Sequence, residues 1–167
     1  MDYNAGRTEK DVINWMRKKS GPPARKLSPA SDFEDLQKAN EVCIVYFGKN
    51  DNDLKAFNKV AEKKDDLPFT TVEDADVAKK FNAKQRSVVL FKKFDEKRND
   101  LETVKEKDLT DFIAKYSMKK VGSFEQKTVE LIFWKNQPAI VYFCTTGDKW
   151  TESEKLMEKM AEKLELN

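Results

Sequence analysis

The sequence predicts an α/β protein, one complete copy of an alternating strand-and-helix fold followed by a partial second copy, and three observations carry this. Ile44-Val45-Tyr46-Phe47 and Ile140-Val141-Tyr142-Phe143 are the same four residues, 96 positions apart. Each is followed by a charged amphipathic helix pattern containing Ala-Glu-Lys, at 61–63 and again at 161–163. Upstream of each lies a helix-start signal, Ser31 with Glu34 and Ser123 with Gln126, which fits the reciprocal capping of a first helical turn.

The elements follow from local pattern. Thr8-Glu9-Lys10-Asp11 opens a helix whose apolar side is Val12, Trp15 and Met16, and Gly21-Pro22-Pro23 stops it. This helix has no strand of its own and is expected to be the last helix of a preceding domain. Lys26 to Ser28 reads as a short strand, and the helix from Asp32 to about Ala39 turns Phe33, Leu36 and Ala39 inward. Val42 to Phe47 is an almost continuous apolar run, as expected for a strand covered on both faces. A helix over about 53–64 shows Leu54, Phe57, Val60 and Ala61 at helical spacing, and Pro68 to Val72 is a strand. A short helix groups Val77, Ala78 and Phe81. Ser87 to Phe91 is a second buried strand, Asp95 to Asp100 turns the chain into a short strand around Leu101, and a helix with Leu109, Phe112, Ile113 and Tyr116 closes the copy near Ser117.

From Lys119 the order begins again. The sequence predicts a short strand to Gly122, a helix with Val129, Ile132 and Phe133, a strand from Pro138 to Cys144, and a helix opened by Thr151-Glu152-Ser153-Glu154. Half of such a sheet leaves strand edges uncovered, so the second copy is expected to pair with another chain, dock on the first copy, or continue in a longer protein. The predicted organisation is a preceding domain's helix over 1–23, a complete unit over 24–117 and a partial unit over 118–167. Alternation of strands and helices argues for a mostly parallel sheet with helices on both faces, and the closing hairpin and helix narrow it to the thioredoxin-like fold.

Composition limits function. Lys and Arg number 32 against 30 Asp and Glu, a net charge of +2 with interleaved signs, which makes no strong basic field for nucleic acid. No stretch approaches the roughly 20 apolar residues of a membrane span, and the first twenty residues lack a signal-peptide core. The chain contains no histidine, so the usual general base and commonest metal ligand are missing, and its two cysteines cannot by themselves build an ordinary zinc site. No metal or cofactor is expected. Cys43 and Cys144 flank the two repeated tetrapeptides on their outer sides and read as buried small hydrophobes with raised pKa. Neither tetrapeptide leads into a Cys-x-x-Cys pair.

Tyr3-Asn4-Ala5-Gly6-Arg7-Thr8 with Asn14-Trp15 and Gly21-Pro22, then Val89-Leu90-Phe91-Lys92-Lys93-Phe94-Asp95-Glu96 with Arg98-Asn99, resemble the protein disulfide isomerase family. They match the end of its first catalytic domain and its non-catalytic b domain. Val121-Gly122-Ser123-Phe124, Thr128 and Ile132-Phe133 resemble the opening of the b′ domain. The resemblance implies an oxidative-folding chaperone of the endoplasmic reticulum lumen, whose catalytic thioredoxin domains flank regions that keep the fold without its redox chemistry. It implies unfolded polypeptide as the partner, and self-association through the incomplete unit is a further expectation. It also places Phe124, Ile132, Phe133 and Phe143 on the peptide-binding pocket of b′, and Arg86 where a redox thioredoxin carries its cis-proline. A structural spacer without client binding is the alternative.

Overall fold

The computed structural model describes residues 9, 12, 13, 16, 20–27, 31–64, 66–124, 126–129, 132, 133, 139–143 and 148–164. The chain forms two compact units, Met1–Met118 and Lys119–Asn167. Trp15 and Cys144 lie outside the described residues.

In the first unit, Glu9, Val12, Ile13, Met16 and Ser20 are helical. The chain then runs β1 (Arg25–Lys26), α1 (Ser31–Ala39), β2 (Val42–Phe47), α2 (Asp51–Lys63), β3 (Phe69–Val72), α3 (Ala75–Lys80), β4 (Ser87–Lys92), β5 (Arg98–Leu101) and α4 (Glu106–Tyr116). The five strands make one sheet in the order β1-β3-β2-β4-β5. All six residues of β2 are buried, because β2 sits between β3 and β4 with helices on both faces.

Alternation along β2 divides the core. Val42, Ile44 and Tyr46 pack on the side of α2 and α4 with Phe57, Val60, Leu109 and Ile113, whereas Val45 and Phe47 pack on the other side with Phe33, Val72, Ala78 and Val89. Phe33 meets Phe81 and Phe91 edge-on at centroid separations of 4.4 and 4.8 Å. The helix starts are fixed by polar side chains: Asn50 caps α2 by accepting from the amides of Asn52 and Asp53, and Asp74 caps α3 by accepting from those of Asp76 and Val77.

The expectation of a mostly parallel sheet is corrected. β3 runs parallel to β1 and β2, but β4 runs antiparallel to both β2 and β5. The reason lies in the β3 to β4 connection. β3 ends with Val72 beside Phe47, and β4 starts with Ser87 beside the same residue. A six-residue helix such as α3 rises only ~9 Å, whereas a six-residue strand such as β2 spans ~20 Å. The connection therefore stays at one end of the sheet, and β4 must run back along β2.

The second unit contains α5 (Gln126–Val129), Ile132 and Phe133 in a helical turn, and α6 (Asp148–Leu164), which begins three residues before the predicted Thr151. Two predicted strands are not found among the described residues. Residues 119–122 and 139–143 are outside any ladder, and Ile140, Val141, Tyr142 and Phe143 are exposed. In β2 the same tetrapeptide is held by β3 on one side and β4 on the other. The described residues of 119–167 supply no strand to take either place.

Phe57 and Leu109 are both fully buried, one from α2 and one from α4, so truncating either to alanine opens a cavity in the same layer. Phe57→Ala or Leu109→Ala should each cost about 3–5 kcal/mol in urea unfolding, against less than about 0.5 kcal/mol for the exposed Lys55→Ala. Equal effects at the three positions would contradict the assignment of this core.

Candidate functional site

The C-terminal end of β2 faces the start of α2 and the turn that enters β4, and three side chains meet there. Tyr46 reaches from the face of β2 that packs on α2, Asp53 lies in the first turn of α2, and Arg86 immediately precedes β4. The register that sets Phe47 opposite Ser87 brings Arg86 beside the end of β2, where its backbone N–H donates to the carbonyl of Phe47 at 2.7 Å. Arg86 donates from Nε to Oδ2 of Asp53 at 2.8 Å and from Nη2 to Oδ1 at 3.2 Å. The Tyr46 hydroxyl donates to Oδ2 at 3.1 Å.

This arrangement satisfies a carboxylate that the fold has largely removed from water: the Asp53 side chain is 11% exposed, against 63% for Arg86. Its position at the start of α2 also places a negative charge at the positive end of a helix dipole. Hydrogen bonds from Arg86 hold the Asp53 carboxyl below its ordinary range, against burial, which pushes it up, and the Tyr46 hydroxyl adds to the lowering. Burial pushes the Tyr46 phenol up to about 12, so it stays a neutral donor at physiological pH.

Gly48 closes the site from below. Its φ is +149°, and a Cβ at this position would stand 2.7 Å from the Tyr46 hydroxyl oxygen and 3.2 Å from the Arg86 nitrogen. Two requirements therefore select glycine here: the positive φ and the close approach.

Thiol chemistry has no foothold at this pole. The four residues after Phe47 are Gly48, Lys49, Asn50 and Asp51, and Cys43 stands at the opposite end of β2. Cys43 is 1% exposed, its Sγ–H donates to the Leu36 carbonyl at 3.6 Å, and burial pushes its thiol up to about 12. Exchange requires an accessible thiolate, and Cys43 offers neither the charge nor the access. Among the described residues no group of His, Cys, Asp and Glu is arranged to hold a metal.

The family resemblance of the sequence singles out Arg86, but not its partners. Asp53 is seven residues from Tyr46 and 33 from Arg86, and reads in the sequence as one more acidic residue at a helix start. The available signal was its place: three residues beyond Asn50, at an inward position of the helix.

The predicted peptide-binding residues lie in the second unit. Phe124, Phe133 and Phe143 are 60%, 67% and 88% exposed, and Ile132 is half-buried. Ile140, Leu156 and Met160 are also exposed and add apolar surface to this unit. The described ring contacts join none of Phe124, Phe133 and Phe143 to another. One polar contact repeats a feature of the first unit: the Ser153 hydroxyl donates to the Tyr142 oxygen at 3.4 Å. Tyr142 is the counterpart of Tyr46 in the repeated tetrapeptide, and Ser153 stands 100 residues beyond Asp53, the offset that separates the two Ala-Glu-Lys triplets.

A family model described as a thioredoxin-like domain matches residues 47–165. Protein disulfide-isomerase from rabbit (Oryctolagus cuniculus) is 38% identical over 135 residues, covering 79% of this chain and 26% of the relative. The Drosophila melanogaster protein disulfide-isomerase is 37% identical over 136 residues, covering 80% and 27%. The chain thus spans about a quarter of the length of these curated relatives. Among solved structures, the bb fragment of ERp72 aligns with a TM-score of 0.57 at 13% identity over 85% of this chain and 69% of that one. Human ERp44 aligns with a TM-score of 0.55 at 17% identity over 98% of this chain and 46% of that one. These structural likenesses concern the fold.

The geometry sets two expectations. Because the Asp53 carboxyl is lowered in the fold, the unfolded chain takes up its proton first as pH falls, and stability declines from about pH 5 downward through the aspartate range. Asp53→Asn should be less stable at neutral pH and show a shallower stability slope across that window in denaturant titrations; an unchanged slope would remove Asp53 from the account. Gly48→Ala should cost about 2–4 kcal/mol, combining left-handed strain with overpacking.

Proposed function

The chain belongs to the thioredoxin-like domain family, and on that premise we propose that it is a redox-silent stretch of a protein disulfide isomerase-like folding chaperone. In this reading residues 24–117 are a complete non-catalytic domain, 118–167 the beginning of a client-binding one, and 1–23 the closing helix of a catalytic neighbour. The parent protein would be a disulfide isomerase of the endoplasmic reticulum lumen, with its catalytic thiols in flanking domains.

The observation that carries the proposal is the occupation of the pole after β2 by Tyr46, Asp53 and Arg86, in a chain with no Cys-x-x-Cys. The first unit keeps the fold, and its exposed ionic closure offers a client neither a thiol nor an apolar groove at that pole. Its contribution is geometric. A well-packed domain between catalytic neighbours sets their separation, so that a bound client is held near their cysteines at raised effective concentration.

Client binding is assigned to the second unit. Phe124, Ile132, Phe133 and Phe143 would take up apolar side chains of an unfolded polypeptide, at ~25 cal/mol per Å² of apolar area removed from water. Leu156 and Met160 are exposed in the same unit, and methionine adapts to varied partners. Binding of this kind is modest in affinity and low in sequence selectivity.

Two measurements on the chain test the reading. In an insulin-reduction assay it should not exceed the uncatalysed rate, and turnover would overturn the redox-silent assignment. In an NMR titration with an unstructured apolar peptide, shifts should concentrate at Phe124, Ile132, Phe133 and Phe143. Shifts confined to residues 24–117, or none, would remove client binding and leave the spacer role.

A further inference from the structure

Residues 82–86 cross the pole of the first unit as an exposed segment bounded by two left-handed residues, Asn82 at φ +49° and Arg86 at φ +64°. Neither is glycine, so each conformation costs energy that its surroundings must supply. Lys84, Gln85 and Arg86 are exposed, and only Ala83 packs partly against the core. Beneath them Tyr46 and Phe47 are fully buried, and the Gly48 backbone lies against both the Tyr46 hydroxyl and the Arg86 amide.

Three backbone bonds hold the segment, from the N–H groups of Asn82 to the Lys79 carbonyl at 3.0 Å, of Ala83 to the Ala78 carbonyl at 2.9 Å and of Arg86 to the Phe47 carbonyl at 2.7 Å, and charged side chains fasten it further. At its first end Arg98 donates from Nη1 to the Phe81 carbonyl at 2.5 Å and from Nη2 to the Asn82 carbonyl at 3.0 Å, while Asp100 pairs with the same guanidinium at 2.7 Å. In the middle Lys84 pairs with Glu102, and the Ser87 hydroxyl donates to the Lys84 carbonyl at 2.7 Å. At its last end Arg86 is fixed by the two bonds to Asp53. Three cations thus fasten a segment whose own apolar contribution is one alanine.

We propose that residues 82–86 form a charge-fastened strap that closes the pole over Tyr46 and opens as a unit, with the sheet intact, when its ion pairs are screened or removed. The Lys84–Glu102 pair is exposed on both sides and is of the kind that salt weakens, and the Arg86–Asp53 pair, exposed only on the arginine side, is weakened less, whereas the ladders of β2 with β3 and β4 are buried and indifferent to it. Opening frees the Arg86 amide from the Phe47 carbonyl and uncovers the Tyr46 ring. Regions held this way exchange amide protons by local opening at free energies below that of global unfolding.

Native-state hydrogen exchange on the full chain tests this, with the Arg86 amide as reporter of the strap and the Val45 and Val89 amides as reporters of the sheet. Raising salt from about 0.05 M to about 0.5 M, which shortens the screening length several-fold, should speed exchange at Arg86 and leave Val45 and Val89 unchanged. Lys84→Ala, at the most exposed fastener, should accelerate Arg86 exchange by about two- to fivefold, and Asp53→Asn by about tenfold or more. Arg86→Gly discards the fastener but relieves the left-handed strain, so it should expose Tyr46 to nitration without lowering the stability of the sheet by more than Arg86→Ala does. Exchange at Arg86 that follows Val45 and Val89 in every condition, or that ignores both salt and Lys84→Ala, would overturn the strap.

Discussion

A buried carboxylate sets the terms at the pole of this fold. Once Asp53 is drawn into the first turn of α2 beside the end of β2, its charge must be compensated, since an unpaired ion in such a place costs several kcal/mol. Arg86 and Tyr46 supply that compensation. Their supply has consequences on both sides. Arg86 can reach Asp53 only because β4 enters the sheet with Ser87 opposite Phe47, and Tyr46 can donate only because position 48 has no side chain to displace its hydroxyl. Strand register, turn conformation and a glycine are thus tied to one ionised group. The same group lies where β2 leads into α2, and Gly48 to Asp53 include no cysteine.

Much of the fold was legible in the sequence because buried strands and amphipathic helices write themselves in apolar spacing. Phe57, Val60 and Ala61 on α2, and Leu109, Phe112 and Ile113 on α4, are core where their periodicity places them. Strand direction was not legible. It follows from how far the connection of residues 73–86 travels, which the Val72 and Ser87 contacts to Phe47 reveal and the hydropathy pattern does not. The ionic site was half legible: Arg86 stands out by comparison with a proline, while Asp53 joins it across 33 residues that carry no local signal of the pairing.

The repeated Ile-Val-Tyr-Phe shows how little four residues determine alone. In β2 it is fully buried between two strands, and at 140–143 it is exposed and outside any ladder. A strand is a relation between segments, and the pattern that favours one cannot create its neighbours. The tyrosine nevertheless keeps a polar contact to the following helix in both places, with Asp53 in one and Ser153 in the other. In the first unit that contact carries a charge and recruits Arg86; in the second it is neutral.

Closure of the pole depends most directly on energetic coupling between Asp53 and Arg86, and a double-mutant cycle measures it. Urea unfolding of the native chain, Asp53→Asn, Arg86→Gln and the double variant should show favourable coupling, the double variant losing clearly less stability than the sum of the two single losses. Losses that simply add would mean that the two residues merely lie side by side, and that something other than this pair closes the pole.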